Sequence, residues 1–200
     1  MKKSILTLAV FMSLMANAQE LPKNFNELVK NIEPQLIGWR HHFHEFPELS
    51  NREFNTGKYI ADYLRTIGLE VKHPFAKTGV VAILKGNKPG PVIGLRADID
   101  ALPVAERAPI PFASKVKAEY NGQQVSVMHA CGHDAHTAIL MATAKALKDM
   151  QKDLAGTVVF LFQPAEEGAP NNEEGGAQLM IKEGAMDVPK LEVVFGLHMA

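Results

Sequence analysis

Cys131-Gly132-His133 sets a thiol and an imidazole two residues apart across a glycine. Thiolate and imidazole together suit a borderline-soft divalent ion such as zinc, and also cobalt or nickel. Alone, the pair lacks the second half of a structural zinc signature. Its surroundings strengthen it. Gly132 permits a tight turn, and a helix expected to begin at Asp134 would lower the thiol pKa through its N-terminal dipole. Glu166 and Glu167 follow an apolar run and Pro164, and two adjacent buried carboxylates are costly unless cations compensate them. One could ligate a metal while the other accepts a proton from the attacking water; the residues alone leave open which does which. His198 closes another apolar run. Asp98 and Asp100 occupy alternate positions on one strand end, so one or both could hold a ligating histidine in its tautomer. Cys131 as a nucleophile with His133 or His136 is the weaker chemistry, because C-x-H on one turn seldom gives in-line thiol–imidazole geometry. Gly168 to Gly176 lacks the G-K-[ST] ending and regular spacing of a phosphate loop.

These groups need elements to position them. Leu28, Ile32, Leu36, Trp39 and Phe43 recur at helical spacing between Phe25 and Phe46. Ser50, with Glu53 three residues on, reads as a capping box for a second helix burying Tyr59, Ile60, Tyr63, Leu64 and Ile67 and ending at Gly68. Gly79–Leu84 and Val92–Arg96 read as strands joined by a turn at residues 86–90. A helix is expected over Asp134–Met150, a strand buried on both faces over Thr157–Gln163, a helix over Glu174–Glu183 and a strand over Val193–Leu197. Strand–helix alternation predicts an α/β fold, a mainly parallel sheet flanked by helices. The candidate groups follow Val92–Arg96, Val125–Met128, Thr157–Phe162 and Val193–Gly196, which suits a crevice beyond the carboxyl ends of strands.

The 200 residues carry 21 Lys+Arg against 22 Asp+Glu, a net charge of −1. That balance, with no basic stripe, speaks against a nucleic-acid partner. The single cysteine excludes an intramolecular disulfide scaffold. Lys2, Lys3, the apolar run Ile5–Met15 and Ala16-Asn17-Ala18 form a signal-peptide pattern over residues 1–18. The run is too short to cross a bilayer comfortably. Cleavage is expected to leave residues 19–200 as an exported chain, periplasmic or secreted, with no membrane association; losing Lys2 and Lys3 shifts the net charge from −1 to −3.

Five ordered motifs then carry a resemblance over about Leu28 to His198: His44-Glu45-Phe46-Pro47-Glu48-Leu49-Ser50, Leu95 to Pro103, Met128 to Asp134, Gln163-Pro164-Ala165-Glu166-Glu167 and Gly196-Leu197-His198. The chain resembles the N-terminal half of an M20 metallopeptidase of the amidohydrolase branch, which includes hippurate and auxin-conjugate hydrolases. The resemblance implies a binuclear hydrolase cleaving N-acyl amino acids or small peptides by a metal-activated water, with two divalent ions (Zn, Mn, Co or Ni). It implies Cys131, His133, Glu167 and His198 as metal ligands, Glu166 as the general base, and Asp100, with Asp98 nearby, behind the metals. It also implies a lid or dimerisation domain and a further metal-binding histidine, both expected to lie outside these 200 residues, and a homodimer for the full-length form; the sequence is expected to be the first part of the catalytic domain. Residues 169–174 form a stretch that compact members of the branch lack, bringing Glu173 and Glu174 as a rival carboxylate pair expected to be solvated. A truncated, non-catalytic periplasmic metal-binding protein is the alternative.

Overall fold

The computed structural model describes residues 25–187 and 189–199; the signal-peptide expectation over residues 1–18 falls outside them. Helices α1 (Phe25–Glu45) and α2 (Phe54–Thr66) come first, followed by strands β1 (Glu70–Phe75), β2 (Gly79–Lys85) and β3 (Lys88–Asp98). A hairpin of β4 (Lys117–Tyr120) and β5 (Gln123–Ser126) precedes α3 (His133–Asp149), β6 (Ala155–Gln163), α4 (Gly176–Lys182) and β7 (Val193–Gly196).

Five strands form one sheet in the order β1-β2-β6-β3-β7, and β4-β5 stands apart. β6 runs parallel to β3, and β3 to β7, while β2 is antiparallel to both β1 and β6. Four of the five strands therefore share a direction and β2 alone is reversed. β6 is central and apolar on both faces. Val158, Phe160 and Phe162 join Val80, Ala82 and Leu84 of β2 under α1, α2 and α3, whereas Val159, Leu161, Val81 and Ile83 meet Leu179 and Met180 of α4. Successive strand residues point to opposite faces, so these two strands furnish both halves of an α/β/α sandwich. Trp39 of α1 meets Tyr63 of α2 edge-on at 4.6 Å.

Several local expectations need correction. The turn at residues 86–90 does not make β2 and β3 neighbours, because both pair with β6, which lies between them. β1 was not anticipated; its alternation of exposed and half-buried residues is a weak pattern. The Val125–Met128 segment lies outside the main sheet: β5 pairs only with β4, and Met128 bridges to Leu102. The capping box does not form. Glu53 itself is the N-cap of α2 and makes no side-chain cap bond, since Ser50 and Glu53 are engaged elsewhere. Tyr59 is exposed and stacks on His42 at 4.7 Å, because Thr56, Gly57, Ile60, Ala61 and Leu64 already complete the buried stripe of α2.

Candidate metal centre

The three parallel strands end at one level. Asp98 of β3 lies opposite Gln163 of β6, and Arg96 opposite Gly196 of β7. Residues following these strands therefore emerge together, and the N-terminus of α3 arrives beside them. Gly132 precedes that helix with φ +80°, a left-handed backbone that costs an L-residue about 1–2 kcal/mol. Cys131 and His133 flank this turn and present their ligand atoms within 4.8 Å of each other.

His133 is buried, and its Nδ1 donates to the Asp100 carbonyl at 2.8 Å. A carbonyl only accepts, so the proton is on Nδ1 and the lone pair on Nε2. That Nε2 faces Asp98 Oδ1 at 3.6 Å, Glu166 Oε2 at 3.7 Å and Glu167 Oε1 at 3.8 Å. Burial disfavours a charged ring, yet the Asp100 hydrogen bond and the charges of Asp98 and Asp100 outweigh it and raise the His133 pKa. Asp100 shows the converse balance: burial opposes its ionisation, but bonds to His133, Ser50 and the Glu167 N–H lower its pKa overall. Asp98, fully buried, contacts His136 Nδ1 at 2.6 Å and accepts from Arg96 Nη1 at 2.6 Å. The two aspartates thus orient different histidines.

Cys131, His133 and Glu167 present ligand atoms within 4.8 Å of one another, and so do Asp98, His133, His136 and His198. His133 belongs to both sets. The thiol runs against expectation: its hydrogen bond to Glu167, burial and the charges of Glu167, Glu166 and Asp98 push Cys131 up to about 11. Carboxylate crowding defeats the helix dipole, and only a cation would reverse that. Among the described residues, Asp98, Asp100, Glu166 and Glu167 converge with Arg96 alone as an ion-paired guanidinium, and His133 Nε2, Glu167 Oε1 and Asp100 Oδ1 are buried without a hydrogen-bond partner. Orphaned acceptors around excess negative charge fit divalent cations.

Glu166 forms no hydrogen bond among the described residues and is 33% exposed, against 21% for Glu167. It borders a cleft of about 710 Å³ shared with Arg96, Gln163 and the α4 N-terminus. The rival pair is occupied at the surface: Glu173 accepts from Arg52, Lys77 and Asn51, and Glu174 pairs with Lys182. His136, which the sequence reading did not place among the candidate ligands, stands in the second set, with Nδ1 on Asp98 and Nε2 accepting the Met199 N–H at 3.0 Å. Its signal was the three-residue step from His133, which places both on one helix face.

An α/β sandwich with carboxylates, imidazoles and a thiol gathered at its parallel strand ends defines the class of metal-site hydrolase folds. The chain belongs to peptidase family M20/M25/M40, whose pattern matches residues 94–200. It is 44% identical over 170 residues to the N-acetyl-L-cysteine deacetylase of Bacillus subtilis, covering 85% of this chain and 37% of that protein. It is 42% identical over 178 residues to the N-acyl-L-amino acid amidohydrolase of Geobacillus stearothermophilus, covering 88% and 44%. Among solved structures, the YXEP protein of Bacillus subtilis, described as a dinuclear metal binding peptidase from the M20 family, superposes with a TM-score of 0.74 at 42% identity, over 86% of this chain and 44% of that one. The chain spans about two-fifths of the length of the relatives it matches. No described helix is long and apolar enough to cross a membrane.

Proposed function

We propose that the full-length protein is a metal-dependent amidohydrolase cleaving the amide of N-acyl amino acids, exported by the segment at residues 1–18 and working as a homodimer. The observation that carries this reading is the orphaned pair His133 Nε2 and Glu167 Oε1, facing each other at 3.8 Å beside the freer Glu166. The names of the deacetylase and amidohydrolase relatives support the substrate class. Cys131, His133, Glu167 and His198 would hold two divalent ions, with Asp98 and Asp100 behind them orienting His136 and His133. Zinc, cobalt, nickel and manganese all suit this donor set. When bound, the ions supply Lewis acidity toward the scissile carbonyl and make water acidic enough to ionise near neutrality.

The chain's own groups do the proton work. Glu166 takes a proton from the attacking water and delivers it to the leaving amine nitrogen. Its exposure toward the cleft and its lack of hydrogen bonds among the described residues support this role. Glu167, turned inward with its backbone N–H on Asp100 Oδ2 at 3.1 Å, suits the ligand role instead.

In the full-length protein, Glu166→Gln is expected to retain metal and lose about a hundredfold to ten-thousandfold in turnover of an N-acetyl amino acid. Glu167→Gln is expected to lose metal as well, as read by elemental analysis after dialysis. Near-normal rates and metal content in both variants would overturn the assignment. Tight metal binding with no hydrolysis of any N-acyl amino acid would favour a non-catalytic metal-binding protein.

A further inference from the structure

Between α1 and α2, residues 47–53 touch both loops that bear the site carboxylates. The Glu48 carbonyl accepts from the Ala101 N–H at 2.8 Å, and Ser50 Oγ donates to Asp100 Oδ2 at 2.7 Å. Glu53 reaches the other loop. Its side chain is fully buried, a costly place for a carboxyl unless its oxygens are satisfied. Oε1 accepts the Ala165 N–H at 2.8 Å, and Oε2 accepts the Thr78 hydroxyl at 2.7 Å.

Ala165 is buried and has φ +49°. An L-residue keeps that left-handed conformation only where its surroundings over-determine it. Glu53 grips the Ala165 N–H from one side. From the other, Gly176 packs so closely that a Cβ there would lie 2.8 Å from the Ala165 carbonyl oxygen. Glu166 and Glu167 are the next two residues, so any relaxation at Ala165 redirects both carboxylates.

We propose that Glu53 is a positioning residue for the Glu166–Glu167 pair, locking the left-handed Ala165 peptide that aims one carboxylate at the ligand cluster and the other at the cleft. The inference rests on the reading of Glu167 as ligand and Glu166 as base. Glutamine reproduces the required contacts: its Oε1 accepts from Ala165, and Thr78 Oγ rotates to accept from its amide. Leucine removes both contacts and strands two buried donors. Aspartate keeps the carboxyl but falls one methylene short of Ala165.

The test uses the full-length protein carrying Glu53→Gln, Glu53→Leu, Glu53→Asp or the remote core change Leu64→Ala. Three quantities are read: thermal unfolding, zinc affinity of the stripped protein by competition with a chromophoric chelator, and kcat and KM for an N-acetyl amino acid. Glu53→Leu and Glu53→Asp are expected to lose zinc affinity by about tenfold to hundredfold and to lower kcat with KM little changed. Glu53→Gln is expected to stay within a few-fold of wild type. Leu64→Ala should lower the unfolding temperature and leave the zinc affinity of the folded protein unaltered. Should Glu53→Leu fail to fold, Glu53→Asp decides. Wild-type zinc affinity in every foldable Leu or Asp variant, or an equal loss in Leu64→Ala, overturns the proposal. A wild-type protein that binds zinc but hydrolyses nothing overturns the amidohydrolase reading instead, and zinc affinity still decides the role of Glu53.

Discussion

Glu53 carries a proton question of its own. Burial, opposed by bonds from Thr78 and Ala165, lifts its pKa from 4.5 to about 7. The folded state therefore binds a proton that the unfolded state releases between those two values. The associated stability is fully present below about pH 4.5 and is lost as pH rises through about 7, a swing on the order of 3 kcal/mol. Glu53→Gln should flatten this slope, measured by urea unfolding of chelator-treated protein at pH 5 and pH 8. Parallel curves for variant and wild type would show that Glu53 does not titrate in this range. The same scale exposes a limit of reading residues singly. Cys131 beside a helix N-terminus reads as a thiolate, but three carboxylates that approach only in the fold drive it the other way.

At the scale of elements, α2 must lie very close to β2 for Glu53 to meet Thr78. Gly57, one turn beyond Glu53, makes this possible: a Cβ there would fall 2.1 Å from the Thr78 carbonyl oxygen. Gly57→Ala is expected to push α2 off the sheet and cost about 1–3 kcal/mol in urea unfolding. Zinc affinity should fall with it, because the Thr78–Glu53–Ala165 chain is disturbed. Leu64→Ala, on the same helix but deep in the core, should cost about 2–5 kcal/mol without that second effect. Helices α1 and α3 and strand β6 were legible from periodicity and apolar runs, because each buries a continuous stripe or face; β7 was legible from its apolar run alone, though it leaves Val193 and Phe195 exposed. β1 and the order of β2, β6 and β3 were not. A five-residue turn reads locally as a hairpin, and only the competing pairing of both strands with β6 separates them.

At the scale of the whole molecule, the two sheet edges differ. β1 is blunted by Pro74, charged Glu70 and Lys72 and an irregular register, as edge strands commonly are. β7 leaves Val193, Phe195, Leu197 of the following turn and Met199 largely exposed on the other edge. A polypeptide of these 200 residues alone is therefore expected to self-associate, as read by light scattering during size exclusion, and Phe195→Lys should reduce the association. Metal removal acts globally too. A cation held by the folded cluster and not by the unfolded chain stabilises by mass action, so a chelator should lower the unfolding temperature of the loaded full-length protein and added zinc should restore it.

Sequence alone pointed to most of the groups that the fold gathers, with His136 missed. Parallel strands deliver their C-terminal residues to one crevice, so Asp98, Glu166, Glu167 and His198 could be assigned to a common site with Cys131 and His133 before any coordinates. The family followed from the same motifs, because five of them occur in order along the chain. Tertiary structure decided which group faces which. It paired Asp100 with His133 and Asp98 with His136, turned Glu167 inward and Glu166 toward the cleft, and took Ser50 and Glu53 from a helix cap to the site's support. Those choices depend on contacts between residues 33 to 112 positions apart, and buried polar groups select their partners from whatever the packed fold brings within reach.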